Sequence, residues 1–320
     1  MRSRLRHIAG LALIAATVAG CGTTSDQASR MALAALETPA PHATSKPPGA
    51  AAPCTASLRP PATLPTPGNL PADSFMAKIR KRGSLIAGVS AGTLNFGYYN
   101  PSSGSIEGFE IDLVDEVAKA IFGTAKHHVS LVALTVGQRE PFVQEGKVDI
   151  VADVVTMTCA RAEKVDFSTV YYDAKQRVLV PKSSGANSIS DLAGKEVCAT
   201  AGSTPIYVME HLPHPPDPVG ASQSIDCLVL LQQGAVAGIS TDSSILDGFE
   251  AQDPNTKIVG SPIADVPYGM EINKAHPDFV RFVNGVLAEL ERNGTWQQLQ
   301  AKWLGQFGPP ESPPQPQYQG

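Results

Sequence analysis

The sequence predicts an α/β protein of two lobes with a ligand cleft between them. Short apolar strand patterns alternate with helical patterns over residues 85–304, which is typical of α/β folds. The pattern leaves a first lobe, builds a second and then returns, so that two crossing strands join the lobes as a hinge. We expect lobe 1 to comprise residues 73–182 plus 264–304, and lobe 2 to comprise residues 183–263.

The elements of lobe 1 follow from hydrophobic periodicity. Residues 85–89 form a short apolar run, which predicts a buried strand. Residues 110–122 carry an apolar stripe at helical spacing with polar residues opposite, which predicts an amphipathic helix. Residues 129–133 and 148–155 are predicted to be strands, and residues 140–145 a helix between them.

The second lobe and the return of the chain are predicted in the same way. The runs at 177–181 and 270–273 are predicted to be the strands that cross between the lobes. Two strands and two helices are predicted between them, in chain order 196–200, 204–211, 225–233 and 236–240. Helices at 278–291 and 296–304 then complete lobe 1.

The amino terminus is typical of a secretory signal peptide, predicted at residues 1–20. Three arginines within the first six residues precede an apolar stretch at 8–19 that is too short to span a bilayer. The Val-Ala-Gly-Cys sequence that follows resembles the bacterial lipobox, in which Cys21 receives a diacylglycerol and becomes the mature amino terminus. The alternative is an ordinary cleaved signal with an incidental cysteine. We therefore expect a lipid-anchored protein on the extracytoplasmic face of the cell membrane.

Two proline-rich segments flank the predicted lobes. Residues 21–72 are interpreted as a membrane-proximal linker, because prolines are dense from residue 37 onward and such segments bury little apolar surface. The tail at 305–320 is also proline-rich and is predicted to be disordered.

Composition limits the classes of partner. Hydrophobic residues make up 42% and charged residues 17% of the chain, as in globular proteins with a core. The formal net charge of -5 and an isoelectric point near 5.8 argue against a nucleic-acid partner. We expect a monomer that contacts the cell through its lipid anchor and through a membrane protein partner.

The cysteines predict disulfides. With Cys21 lipidated, four cysteines remain, and an even number in an oxidising compartment suggests two disulfides with three possible connectivities. We favour Cys198–Cys227, within one βα segment, and Cys54–Cys159, which would fasten the end of the linker to the body. The alternative is that some are buried free thiols. Wide cysteine spacings and scattered histidines predict no metal and no cofactor.

Residues 88–92 match the G-x-S-x-G pattern of hydrolase nucleophile elbows. That motif requires a strand before the serine and a helix directly after it. Residues 93–101 show no helical period and carry early turn residues, so we interpret this segment as a glycine-rich loop at the mouth of a cleft.

The segment 146–172 is the most informative part of the chain. Arg161 follows a predicted buried strand and a threonine-rich loop, a position at which sheet ends meet ligands. A guanidinium group there can hold a carboxylate through two parallel hydrogen bonds. The alternative is a surface arginine paired with Glu163.

An ordered set of motifs over residues 74–305 resembles a known family. The chain is similar to the polar amino-acid family of extracytoplasmic solute-binding proteins, the receptors of ABC importers, and most similar to actinobacterial glutamine/glutamate-binding lipoproteins. The motifs are Gly108-Phe109-Glu110-Ile111-Asp112-Leu113, the 146–172 segment, Asp191-Leu192-Ala193-Gly194-Lys195, Ala201-Gly202-Ser203-Thr204, Ser240-Thr241-Asp242, Tyr268-Gly269, Asn293-Gly294-Thr295 and Lys302-Trp303. The resemblance implies a periplasmic-binding-protein-like fold of type II.

The resemblance also assigns ligand contacts. It implies that Arg161 binds the α-carboxylate of an amino acid, with Thr156 supplying a hydroxyl and a backbone N–H. It implies that Asp242 binds the α-ammonium; the alternative is an aspartate in an ordinary turn. Gly202, Ser203 and Thr204 precede a helix opened by proline, where backbone N–H groups and the helix dipole favour an anion. Further expected contacts are Val154, Ser90, Leu94 and Phe96.

Selectivity for the ligand side chain is inferred from the same resemblance and from positions at which this chain departs from the glutamine binders of the family. Arg139 aligns with an arginine that meets the side-chain carboxylate in binders of acidic amino acids; the alternative is a surface arginine at a helix amino terminus. Val136 replaces a stacking aromatic and Ser90 replaces an aspartate of glutamine binders. These departures favour glutamate or aspartate, with glutamine or asparagine possible. Leu94, Phe96 or Tyr98 is expected to supply an apolar wall.

The expected function is capture rather than catalysis. A ligand that touches both lobes favours the closed state, which an ABC permease then recognises. The alternative partner is a transmembrane sensor that detects the same closure. A dehydratase on this fold is a third hypothesis, but it needs a buried general acid in the cleft, and the sequence shows no convincing candidate.

Overall fold

The structure is a computed structural model that describes residues 53–309 and 311–319. The predicted signal peptide, the predicted lipidation site at Cys21 and the linker up to residue 52 lie outside the described residues. Within the described ranges, no helix combines the length and the apolar character that crossing a membrane requires.

The strands are numbered along the chain. They are β1 (Ala56–Ser57), β2 (Leu85–Val89), β3 (Gly92–Thr93), β4 (Gly97–Asn100), β5 (Ser105–Glu107), β6 (Val129–Ala133), β7 (Ile150–Ala152), β8 (Asp166–Phe167), β9 (Tyr172–Pro181), β10 (Glu196–Thr200), β11 (Asp217–Ala221), β12 (Gly238–Asp242), β13 (Thr256–Tyr268), β14 (Glu271–Ile272) and β15 (Gln317–Tyr318).

The α-helices are numbered in the same order. They are α1 (Phe75–Arg82), α2 (Phe109–Phe122), α3 (Arg139–Gln144), α4 (Cys159–Ala162), α5 (Thr204–Glu210), α6 (Ser224–Gln232), α7 (Ser243–Gln252), α8 (Pro277–Asn293) and α9 (Thr295–Leu304). The sequence analysis placed about half of the elements within a few residues. It missed the helices α1, α4 and α7, the strands β8, β11 and β13, and the small three-stranded sheet β3-β4-β5.

Each lobe is built on a five-stranded sheet with the same arrangement. In lobe 1 the strand order is β6-β2-β7-β14-β8, with β2 parallel to β6 and β7, and β14 antiparallel to its neighbours. In lobe 2 the order is β11-β10-β12-β9-β13, with β10 parallel to β11 and β12, and β9 antiparallel to its neighbours. Parallel strands end at one edge of each sheet, which is where ligands bind in such folds.

Helix α2 shows why the periodicity predicted its place. Its stripe of Leu113, Val114, Val117 and Ile121 is fully buried against the lobe 1 core. The helix begins after Gly108, where a Cβ atom would lie 2.2 Å from the carbonyl oxygen of Phe96. Only glycine permits this close approach, so the turn into α2 depends on it.

The two crossing strands are β9 and β13, which pair antiparallel between the lobes from Tyr172↔Tyr268 to Pro181↔Thr256. The predicted run at 177–181 lies within β9. The prediction for 270–273 is wrong, because β14 pairs with β7 and β8 inside lobe 1. Glycine and proline residues within 256–268 interrupt the apolar pattern of β13, which is why the sequence analysis missed it.

Both disulfides of the described chain agree with the favoured connectivity. Cys54 and Cys159 are joined with a Cα–Cα distance of 4.8 Å, and Cys198 and Cys227 with a distance of 5.5 Å. The first disulfide attaches the amino-terminal segment to α4. The second attaches α6 to β10 within lobe 2.

The proline-rich ends differ from the prediction. The strand β1 pairs in parallel with β15, so residues of the predicted linker and of the predicted disordered tail form a two-stranded sheet. The Ser57 hydroxyl donates to the carbonyl of Phe167 at 2.6 Å, and the Asn284 amide donates to the Ser57 hydroxyl at 2.8 Å. Proline-rich chain is already extended, so it can lie along the body once a few side chains anchor it.

Candidate functional site

A cavity lies between the lobes at the carboxyl ends of the parallel strands. Lobe 1 lines it with Ser90, Arg139, Asp153, Val154, Thr156 and Arg161, among others. Lobe 2 lines it with Ser203, Thr204 and Asp242, among others. The structure therefore brings eight of the eleven predicted contact residues to one cavity and adds Asp153.

Arg161 is held firmly on α4 with its guanidinium facing the cavity. Its Nε donates to Glu140 Oε1 at 3.0 Å, and Nη1 donates to the carbonyl of Thr156 at 2.9 Å. Nη1 also reaches Thr204 Oγ1 of lobe 2 at 3.5 Å. None of these contacts uses Nη2, and the side chain pairs with Glu140 rather than with Glu163. The guanidinium is thus oriented before a ligand arrives.

Asp242 lies opposite, at the junction of β12 and α7. Its Oδ2 accepts a hydrogen bond from the Tyr268 hydroxyl at 2.7 Å, and its buried Oδ1 has no partner among the described residues. Burial raises the pKa of Asp242 to about 6, and the Tyr268 hydrogen bond opposes this shift. A cationic group in the cavity would satisfy Oδ1 and stabilise the carboxylate.

The amino terminus of α5 contributes hydroxyl groups to the cavity rather than a set of backbone N–H groups. Ser203 precedes the helix, and its buried Oγ has no partner within the described chain. Thr204 Oγ1 faces Arg161 across the cavity. Gly202, by contrast, is exposed and does not line the cavity, so the prediction for this residue differs from the structure. Its positive φ of 73° turns the chain just before the site.

Arg139 is buried at the start of α3 and is not a surface arginine. Its Nε donates to Asp153 Oδ2 at 2.7 Å, and the two side chains are 9% and 3% exposed. Burial raises the pKa of Asp153 while the charge of Arg139 opposes the shift. The pair places a cation and an anion side by side against the cavity. Asp153 directly follows β7, so the argument from strand ends that selected Arg161 could also have selected it.

Two predicted contacts, Leu94 and Phe96, lie outside the cavity lining. Phe96 is fully buried and meets the rings of Phe109, Tyr172 and Tyr268 edge to face. The side chain of Leu94 packs against the backbone of α7 at Gly248. The strand pair β3-β4 directs both side chains away from the site, and the sequence analysis did not detect these strands.

The same local structure explains Ser90. Its Oγ lies 2.9 Å from Thr93 Oγ1, and the three-stranded sheet β3-β4-β5 follows instead of a helix. A nucleophile elbow is therefore not formed, as the sequence analysis inferred.

Two buried glutamates beneath the site were missed by the sequence analysis. Glu110 accepts hydrogen bonds from the backbone N–H of Val154 at 2.7 Å and from the Tyr171 hydroxyl, and burial raises its pKa to about 7. Val154 is held at a positive φ of 44°, which is strained for a branched side chain. Glu271, on β14, has a pKa also raised to about 7 by burial. For Glu271, an acid inside an apolar strand pattern was the available signal, whereas Glu110 lies in the first turn of α2.

The cavity as a whole offers a cation on one lobe and an anion on the other. This arrangement fits a small zwitterion better than a metal ion. Across residues 53–309 and 311–319, no three or more His, Cys, Asp and Glu side chains are grouped so as to hold a metal.

The comparisons with known proteins agree with this geometry. The family of bacterial extracellular solute-binding proteins, family 3, matches residues 85–306, and the chain belongs to this family. The expected periplasmic-binding-protein-like fold is confirmed by solved structures. An ancestral arginine-binding protein bound to glutamine superposes with a TM-score of 0.65 at 30% identity, covering 70% of this chain and 99% of that one.

Two curated relatives cover most of the described body. The ABC transporter glutamine-binding protein GlnH of Bacillus subtilis is 31% identical over 230 residues, which are 72% of this chain and 84% of the relative. The glutamate-binding protein GluB of Corynebacterium glutamicum is 28% identical over 249 residues, covering 73% of this chain and 82% of the relative.

Proposed function

We propose that this protein captures a polar amino acid between its lobes and presents it to an ABC importer. One observation carries the proposal: Arg161 and Asp242 reach the same cavity from different lobes, and Asp242 Oδ1 is buried without a partner. Arg161, with the hydroxyl groups of Ser203 and Thr204, binds the α-carboxylate. Asp242 binds the α-ammonium.

The Arg139–Asp153 pair supports a ligand whose side chain ends in a carboxylate or a carboxamide. The guanidinium donates to a carboxylate oxygen or an amide carbonyl, and Asp153 accepts from an amide nitrogen. The sequence favoured glutamate or aspartate because of Arg139. Since Asp153 balances that charge, glutamine and asparagine fit the pair as well. Of the two curated relatives, one is a glutamine-binding protein and the other a glutamate-binding protein, so together they cover both classes of side chain.

Binding and closure are coupled in this proposal. The ligand bridges lobes that the chain connects, within the described residues, through β9 and β13, so it stabilises the closed state by its contacts with both. The importer then recognises the closed shape. The signal peptide at 1–20 directs export and is removed, and the lipid on Cys21 then keeps the protein at the extracytoplasmic face of the membrane. Mass spectrometry of the membrane-bound protein tests whether Cys21 carries a diacylglycerol. As a second test of the anchor, Cys21→Ala should release the protein from the membrane.

Calorimetry of the purified protein against the twenty amino acids tests the ligand. Glutamate, aspartate, glutamine or asparagine should bind, and Arg161→Ala and Asp242→Ala should each abolish binding. Arg292→Ala is the matched control, because Arg292 is an exposed arginine that pairs only with Glu289 of its own helix. Binding that survives the loss of both Arg161 and Asp242 would overturn the proposal.

A further inference from the structure

Glu271 is a buried acid that the proposed contacts do not use. It lies on β14 opposite Val151 of β7 and Phe167 of β8, within the lobe 1 sheet. Its side chain is 0% exposed, and neither carboxyl oxygen has a hydrogen-bond partner in the described part of the chain. An ionised carboxylate in such a place is costly, because burial removes its hydration without replacing the hydrogen bonds.

The charged groups around Glu271 are those of the ligand site. Helix α3, which packs on β14, contributes Arg139 and Glu140, and α4 contributes Arg161. Asp153, after β7, is the fourth charge. The two arginines favour the ionised form of Glu271, whereas Glu140 and Asp153 favour its neutral form. Arg161, whose Nε binds Glu140 Oε1 at 3.0 Å and which is thereby held to the helix that packs on β14, is also the proposed clamp for the α-carboxylate.

We propose that Glu271 is a positioning residue behind this clamp and that it makes amino-acid capture proton-linked. When Glu271 is ionised, its negative charge weakens the attraction between Arg161 and the ligand carboxylate. When Glu271 is neutral, this attraction is not weakened. The inference rests on the proposed function, since it requires a carboxylate on Arg161.

The direction of the effect follows from linkage. A ligand carboxylate on Arg161 adds a negative charge near Glu271, so binding raises the pKa of Glu271 further and takes up a proton. Affinity then falls as pH rises through about 7, where Glu271 ionises in the free protein. Asp242 acts in the opposite direction, because it must be ionised to bind the ammonium, and its pKa is about 6. The two groups together predict an affinity maximum between these values.

Calorimetry with glutamine tests the proposal, because its side chain is neutral and only its α-groups carry charge. Titrations in buffers of different ionisation enthalpy measure the protons taken up, from about pH 6 to about pH 8. The wild-type protein should take up a fraction of a proton near pH 7.5 and lose affinity about threefold to tenfold over the alkaline half of this range. In Glu271→Gln both the uptake and the alkaline decline should disappear.

Two variants serve as controls. Glu291, on α8, also has a pKa raised to about 7 by burial but does not line the cavity, so Glu291→Gln should keep the wild-type pH profile. Glu110→Gln tests Glu110, a buried acid whose pKa is raised to about 7 like that of Glu271 but whose charge acts on Arg139. If Glu271→Gln does not fold, Glu271→Leu offers an apolar side chain among Val151 and Phe167 and carries the same expectation.

The outcomes separate this inference from the proposed function. Wild-type binding without proton uptake overturns the role of Glu271, as does an alkaline decline that persists in Glu271→Gln and disappears in Glu110→Gln. If no amino acid binds at any pH, the proposed function itself fails.

Discussion

The two faces of the cleft carry different chemistry. The lobe 1 face is charged, and its charges are paired within the lobe: Arg139 with Asp153, and Arg161 with Glu140. The lobe 2 face carries hydroxyl groups and the single carboxylate of Asp242, whose Oδ1 lacks a partner. Lobe 1 is therefore arranged before the ligand arrives, which lowers the cost of binding. In the proposed function, the hydrogen bonding of lobe 2 is completed when the ligand ammonium reaches Asp242.

The comparison predicts the largest loss from the lobe 1 clamp. Arg161→Ala should weaken amino-acid binding about 1000-fold, because it removes the guanidinium that pairs with the ligand carboxylate and leaves Glu140 with Lys164 as its cation. Calorimetry measures the affinity, and circular dichroism shows that the variant is folded. Arg161→Lys keeps the charge but loses the planar fork, so an affinity equal to wild type would contradict the bidentate role.

A smaller loss is expected from the lobe 2 carboxylate. Asp242→Asn should weaken binding about 100-fold, because an amide cannot neutralise the ammonium but can still contact Tyr268. The same variant should be more stable without ligand at pH 7. Burial raises the pKa of Asp242, so its ionisation costs stability as pH rises through about 6, and asparagine has no such cost. Thermal unfolding with and without ligand measures both the weaker binding and the higher stability of the free variant. A melting temperature lowered in the free variant would contradict the expected cost of ionising Asp242.

The buried acids of lobe 1 predict a stability that depends on pH in the unliganded protein. The pKa of Glu110 is raised from 4.5 to about 7, so the folded state keeps a proton that the unfolded chain releases between these values. The free energy of unfolding should therefore fall as pH rises from about 4.5 to 7. Glu110→Gln should reduce this fall by on the order of 2 kcal/mol, measured by urea unfolding across that range. A pH profile unchanged by the substitution would show that Glu110 does not titrate there.

The smallest expected effect concerns discrimination between acids and amides. Arg139→Ala should weaken glutamate or aspartate binding about tenfold more than glutamine or asparagine binding, because Asp153 would then repel an anionic side chain. Competition binding with matched pairs of ligands measures the ratio. Equal losses for acids and amides would place the Arg139–Asp153 pair outside the side-chain pocket.

Local sequence patterns predicted many elements of the body. The exceptions are elements whose local pattern does not reveal their burial or their pairing with distant parts of the chain. Helix α2 was placed because its stripe repeats at helical spacing, and β2 because its run is short and apolar. The crossing strand β13 was missed because it is buried only at Thr256 and over Val266–Tyr268, and its middle is interrupted by glycine and proline. The chain ends were predicted to be linker and tail because composition alone does not reveal the pairing of β1 with β15.

The sequence by itself determined the class of the protein, a two-lobed α/β body, and its disulfide candidates, and it predicted Arg161 and Asp242 as opposing ligand contacts. These depend on periodicity, spacing and ordered motifs, which are local. Only the tertiary structure decided which side chains pair in the site, since Arg139 and Asp153, or Glu140 and Arg161, meet through packing of separate elements. It also decided which acids are buried, because the loss of water around Glu110 and Glu271 depends on neighbours distant in the chain.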